Sequence, residues 1–124
     1  MIKRTFISLF GGLLFGILLS SCGGGGGGGD AMTANLANGE AVYKKACIAC
    51  HMTGVAGAAA LTDKPRWEEN AAKGMATLTQ SAMAGYTGKY GVMPEKGTCM
   101  DCSEQDMFDA ISYMMDKAGV KPAK

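Results

Sequence analysis

The sequence contains a single histidine, His51, so no metal bound within one copy of the chain can be held between two imidazoles. Long apolar runs are nearly as scarce. The main one, Phe6 to Leu19, is too short to cross a bilayer comfortably, a length that suits an export signal rather than a membrane helix. An excess of either charge is missing as well. With 12 Lys and Arg against 11 Asp and Glu, the formal net charge is +1, which excludes a strongly basic nucleic-acid or membrane-binding face. Strand-like alternation of any length is absent, as is any internal repeat, and the expected fold class is therefore all-α. The chain has room for one small domain.

What is present centres on Cys47, Ile48, Ala49, Cys50 and His51, which read C-x-x-C-H, the attachment pattern of a c-type haem. Two thiols three residues apart at a helix end can each add across a haem vinyl group, and the imidazole that follows reaches the iron. A C-x-x-C pair alone would suit a redox dithiol or half a zinc site, but neither accounts for the adjoining histidine. With His51 alone, the second axial position falls to methionine, lysine, water or nothing. Methionine gives a stable, higher-potential electron-transfer centre. Met75, Met83, Met107, Met114 and Met115 fall on expected helices, and Met52 is too near His51 to reach the opposite haem face. Met93, in a glycine-rich loop and immediately before Pro94, is the expected distal ligand.

Lys3 and Arg4 precede the apolar run, and Leu19-Ser20-Ser21-Cys22 after it resembles the bacterial lipobox. Residues 1–21 are thus expected to be a lipoprotein signal peptide, with Cys22 the lipidated N-terminus. Gly23 to Gly29 follow without interruption and begin a flexible tether over 22–35, whose r.m.s. reach is on the order of 20 Å. The expected location is the periplasm-facing surface of a bacterial membrane, outer or inner. Gly23, where an aspartate would retain a lipoprotein in the inner membrane of enteric bacteria, favours the outer one.

The domain is expected over 36–124. Asn38 is the expected N-cap of a helix from Gly39 to Cys50, and Asp63 caps a second, with Pro65 in its first turn, that runs towards Gly74. A third helix spans Met75 to Ala84, Gly85 to Cys102 reads as a loop, and Ser103 with Asp106 starts a last helix that ends near Ala118. In an exported protein Cys99 and Cys102 are expected to form a local disulfide. The rivals are a four-thiolate zinc site with Cys47 and Cys50, and a redox-active dithiol.

From Gly39 to Ala118 the chain resembles a class I cytochrome c, and most closely the cytochrome c5 family. The matching pieces are Gly39, Tyr43, Cys47 to His51, Gly54-Val55-Ala56-Gly57-Ala58, Trp67, Gly85-Tyr86-Thr87-Gly88, Met93-Pro94-Glu95-Lys96-Gly97, Cys99 to Ser103 and Ile111-Ser112-Tyr113-Met114. The resemblance implies three to five helices around one covalent haem c, with the N- and C-terminal helices crossing where Gly39 and Tyr43 approach Tyr113. It also implies Met93 as distal ligand and a Cys99–Cys102 pair. Ala59 stands where similar proteins often have proline, and its carbonyl is the expected acceptor for the His51 Nδ1 proton. Asn70 occupies a position where arginine is common. Trp67 is expected either to donate its indole N–H to a haem propionate or to cover the haem edge. The implied protein is a monomeric, tethered electron carrier and not an enzyme. It would exchange single electrons by outer-sphere transfer with redox proteins such as respiratory complexes, oxidases or periplasmic reductases, and bind no nucleic acid. Were Met93 not a ligand, a haem-based gas sensor or weak peroxidase is the alternative.

Overall fold

The computed structural model describes residues 31–123, so the signal segment, Cys22 and the glycine run lie outside the described residues. Helix α1 covers Leu36–Val42, continues through a π-helical turn at Tyr43–Cys47, and ends in a short α2 at Ile48–His51. Its cap is Asn35, whose side chain accepts from the Asn38 backbone N–H, and not Asn38 as the sequence suggests. Asn38 lies one helical turn further on and is used elsewhere. Its amide donates to Asp106 at 2.9 Å and to Asp109 at 2.8 Å, both on the last helix. The folded unit also reaches back beyond Leu36. The Asn35 N–H donates to Asp109, and Gln105 donates to the Thr33 carbonyl.

Helix α3, Lys64–Ala71, starts at the Asp63 cap with Pro65 in its first turn, and α4 spans Met75–Ala84 as expected. Gly74 separates them at φ +79°, a backbone angle that side chains other than glycine rarely adopt. The last helix, α5, covers Glu104–Lys117 behind a complete capping box: Ser103 Oγ accepts from the Asp106 N–H and the Asp106 carboxylate accepts from the Ser103 N–H. Its stripe of Met107, Ala110, Ile111, Met114 and Ala118 is buried. The α1 rod crosses α5 with Gly39 at the contact, where a Cβ would overlap the Asp109 carbonyl, and the Tyr43 and Tyr113 rings pack 5.4 Å apart. That crossing is the main tertiary contact of the fold.

The fold is mostly helical, but the stretch read as loop contains structure. Strands β1, Tyr86–Gly88, and β2, Gly91–Met93, pair antiparallel with Tyr86 opposite Met93, and a one-turn helix follows at Glu95–Thr98. Three-residue strands are too short to show alternation, which is why the pattern did not reveal them. The ribbon lies on a turn at Val55–Gly57. A Cβ on Gly57 would overlap the Tyr90 carbonyl and one on Gly91 the Ala56 carbonyl, so the two backbones touch. Among the described residues no helix is long and apolar enough to cross a membrane.

Candidate functional site

The π turn and α2 set out the site. Cys47 ends the former, Cys50 and His51 lie in the latter, and both thiols are free. Cys47 is buried, and burial, with the neighbouring Cys50 thiol, pushes its pKa up to about 11. It therefore rests as a neutral thiol at neutral pH. The other pair is joined: Cys99 and Cys102 form a disulfide, which removes both the four-thiolate zinc site and the free dithiol. The disulfide loop is tied to the π turn by an ion pair of Lys45 with Asp101 at 2.7 Å.

After His51 the chain turns back through Gly54, Ala56 and Gly57, all at positive φ. Ala59 O lies 2.9 Å from His51 Nδ1. Because a carbonyl only accepts, Nδ1 carries the proton, and the lone pair of a neutral ring is left on Nε2. Burial lowers the His51 pKa, and the charge of Arg66 lowers it further, against a raising effect of the Ala59 hydrogen bond. The ring is thus held in its neutral, ligand-competent form.

Of the two roles expected for Trp67, its indole N–H is engaged within the protein: it donates to Ala60 O at 2.8 Å, and the side chain is only 3% exposed. The ring centre stands 5.8 Å from that of His51, so Trp67 closes the histidine side of the site. Asn70 is on the surface and accepts from Lys73. Met93 ends β2 rather than lying in free loop, half-buried and packed against the core. The structure therefore gathers His51, Ala59 and Trp67 through hydrogen bonds and ring contact, and ties the Cys47 segment to the Cys99–Cys102 loop. Cys22 lies outside the described residues.

Two residues escaped the sequence reading. Arg66 donates to Gly57 O at 3.1 Å, and its guanidinium carbon lies 3.2 Å from the ring centre of Tyr90. No periodicity or motif links positions 66 and 90, so only the fold brings them together.

The donor set suits haem c: two free thiols, an adjoining imidazole with Nε2 available, and a half-buried thioether on a separate segment. Elsewhere, Thr79 of α4 is 1% exposed and its hydroxyl has no partner among the described residues.

Comparison with known proteins points the same way. Residues 34–114 match the family described as cytochrome C oxidase, cbb3-type, subunit III. Cytochrome c-555 of Chlorobaculum tepidum is 36% identical over 89 residues, covering 72% of this chain and 82% of that protein. The chain belongs to the class I c-type cytochromes. The cytochrome is also 37% identical over 75 residues to cytochrome c5 of Ectopseudomonas mendocina, covering 59% of this chain and 82% of that one. Among solved structures, it superposes on a chain of the electron transfer complex of nitrite reductase with cytochrome c with a TM-score of 0.60. Identity there is 35%, with 69% of this chain and 99% of that chain covered. A mono-haem ferrocytochrome c from Shewanella putrefaciens gives a TM-score of 0.54 at 41% identity, covering 65% of this chain and 95% of that one. The cytochrome binds one covalent haem c and serves as an electron carrier, not an enzyme.

Proposed function

We propose that this cytochrome is tethered by a lipid at Cys22 to the periplasm-facing side of a bacterial membrane, and passes single electrons between redox proteins there. In this reading Cys47 and Cys50 would hold the haem by thioether bonds, and His51 Nε2 and Met93 Sδ would bind its iron. The observation that carries the haem and electron-transfer part of it is the Ala59 carbonyl at 2.9 Å from His51 Nδ1, together with the free thiols of Cys47 and Cys50. When bound, the haem supplies a one-electron couple between its ferrous and ferric states.

The protein residues then divide the work. The Ala59 carbonyl fixes the tautomer and orientation of His51. Trp67 shields the imidazole from water, and its indole N–H steadies the loop through Ala60 O. Met93, held at the end of β2 and followed by Pro94, would supply the second ligand to the iron. With the iron bound by both His51 and Met93, no site would be left for a substrate, which is the arrangement of a carrier.

Partners would meet an apolar rim. Met52 and Val55 of the post-histidine loop and Val92 of β2 are 55%, 53% and 65% exposed, and the loop and strand pack against one another. A small, uncharged contact of this kind suits a brief encounter between redox proteins. The superposition on a chain of a nitrite reductase complex supports a periplasmic reductase as one acceptor class, beside respiratory complexes and oxidases. The chain enters the folded unit through Thr33 and Asn35, both bonded to the first turns of α5, so the leash pulls on that end of the domain.

The test is the visible and near-infrared spectrum of the ferric protein and of Met93→Ala. A methionine-to-iron band that vanishes with the substitution is expected, and a high-spin spectrum in the unaltered protein would replace the carrier reading with gas sensing or peroxide chemistry. Loss of labelled lipid from Cys22→Ser would be the matching result for the anchor; label retained by that variant would remove it.

A further inference from the structure

Arg66 is outside the proposed ligand set, yet it touches both the loop that orients His51 and the hairpin that ends at Met93. On one side its Nη2 donates to the carbonyl of Gly57, in the loop whose Ala59 carbonyl orients His51. On the other, its guanidinium lies over the ring of Tyr90, in the turn of the hairpin whose second strand ends at Met93. Both contacts are short, 3.1 Å to the carbonyl and 3.2 Å to the ring centre.

Neighbouring residues hold this arrangement in place. The Asp63 carboxylate accepts from the Arg66 N–H and so fixes the start of α3. Trp67, the next residue, donates to Ala60 O. Carbonyls 57 and 60, on either side of Ala59, are therefore gripped by two consecutive residues of one helix. Tyr90 is steadied from the same helix: its hydroxyl donates to Glu69 at 2.9 Å, and Lys89 pairs with Glu69 at 2.9 Å. A two-stranded ribbon with three-residue strands has little stability of its own, so its position must come from such contacts.

We infer that Arg66 is a positioning residue that clasps the His51 loop to the Met93 hairpin and so governs how readily the Met93 ligand is released. The inference rests on the assignment of Met93 made above. Without the guanidinium the hairpin keeps its backbone contact at Gly57 and Gly91 but loses the cation over Tyr90, and it swings away from the site more often.

Imidazole provides the probe, since it competes with a thioether for the axial position. The ferric holoprotein would be titrated with imidazole, following the near-infrared methionine band, for the unaltered protein, Arg66→Ala, Arg66→Lys, Tyr90→Leu, Tyr90→Phe and the double variant Arg66→Ala/Tyr90→Leu. Imidazole is expected to bind about ten-fold more tightly to Arg66→Ala and Tyr90→Leu, the scale of a partly desolvated cation–aromatic contact. Arg66→Lys, which keeps the charge but lacks the guanidinium that reaches both Gly57 O and the ring, should follow Arg66→Ala, whereas Tyr90→Phe, which keeps the ring, should stay close to the unaltered protein. The double variant should match the single ones. Unchanged affinities in the single variants, with the band present, would overturn the clasp alone, and additive effects would show that the two residues act separately and overturn it as well. A missing band in the unaltered protein would overturn the Met93 assignment and the clasp with it.

Discussion

Gly39 of α1 rests on the carbonyl of Asp109 in α5, leaving no room for a side chain where the first and last helices cross. The Tyr43–Tyr113 ring pair lies beside the same contact, so a wedge at position 39 would disturb both. Gly39→Ala is expected to lower the unfolding free energy by about 1–3 kcal/mol, the usual cost of overpacking. Denaturant titration would show it as a lower midpoint at unchanged slope; an unaltered midpoint would mean that the helices separate without penalty.

Trp67→Phe keeps an aromatic ring over the histidine but removes the donor to Ala60 O. The loss should be about 1 kcal/mol of stability. A more specific sign is faster exchange of the His51 Nδ1 proton, seen by NMR in the reduced protein, because the adjoining Ala59 carbonyl becomes freer. Unchanged exchange would separate Trp67 from the orientation of His51.

Replacing both Cys99 and Cys102 by alanine opens a very short loop, worth roughly 2 kcal/mol in the chain-entropy model. Thermal unfolding should register that loss while the haem spectrum stays the same, since neither sulfur belongs to the proposed ligand set. A changed spectrum would show that the disulfide loop positions the ligands after all.

Asp106 predicts an acid limb in the stability profile. The Asn38 amide, and then the Ser103 N–H and hydroxyl, hold its carboxyl below the usual value of 3.8. The unfolded chain therefore binds the proton more readily than the folded one. The resulting stabilisation is present above pH 3.8 and is lost as the pH falls through the lower folded value. Asp106→Asn should flatten that part of the profile in urea titrations, and an equally steep fall in the variant would assign the acid sensitivity to other carboxyls.

The legible parts of this molecule are those fixed by local chemistry. Cys47, Cys50 and His51 can be read because covalent attachment fixes their spacing, and Asp63, Ser103 and Asp106 because a helix start is satisfied within four residues. Asn35 and Asn38 are equally good caps a turn apart. Only the carboxylates of α5, some seventy residues away, decide between them by engaging Asn38. Two longer-range features were hidden for the same reason. The ribbon depends on backbone contact between Gly57 and Tyr90, and the indole N–H of Trp67 was taken by a carbonyl that no spacing rule identifies.

The π turn at Tyr43–Cys47 acts as a phase shift in a gear train. Each residue of an α-helix advances the side chains by about 100°, so an uninterrupted rod would lock the orientation of the cysteines to that of Gly39 and Tyr43. One extra residue in the turn resets that angle. The upstream half is free to mesh with α5 while the downstream half presents Cys47, Cys50 and His51 elsewhere. Deleting Lys44 from the turn would keep Gly39, Tyr43, Cys47, Cys50 and His51 in the sequence and still point the attachment end at the wrong neighbour.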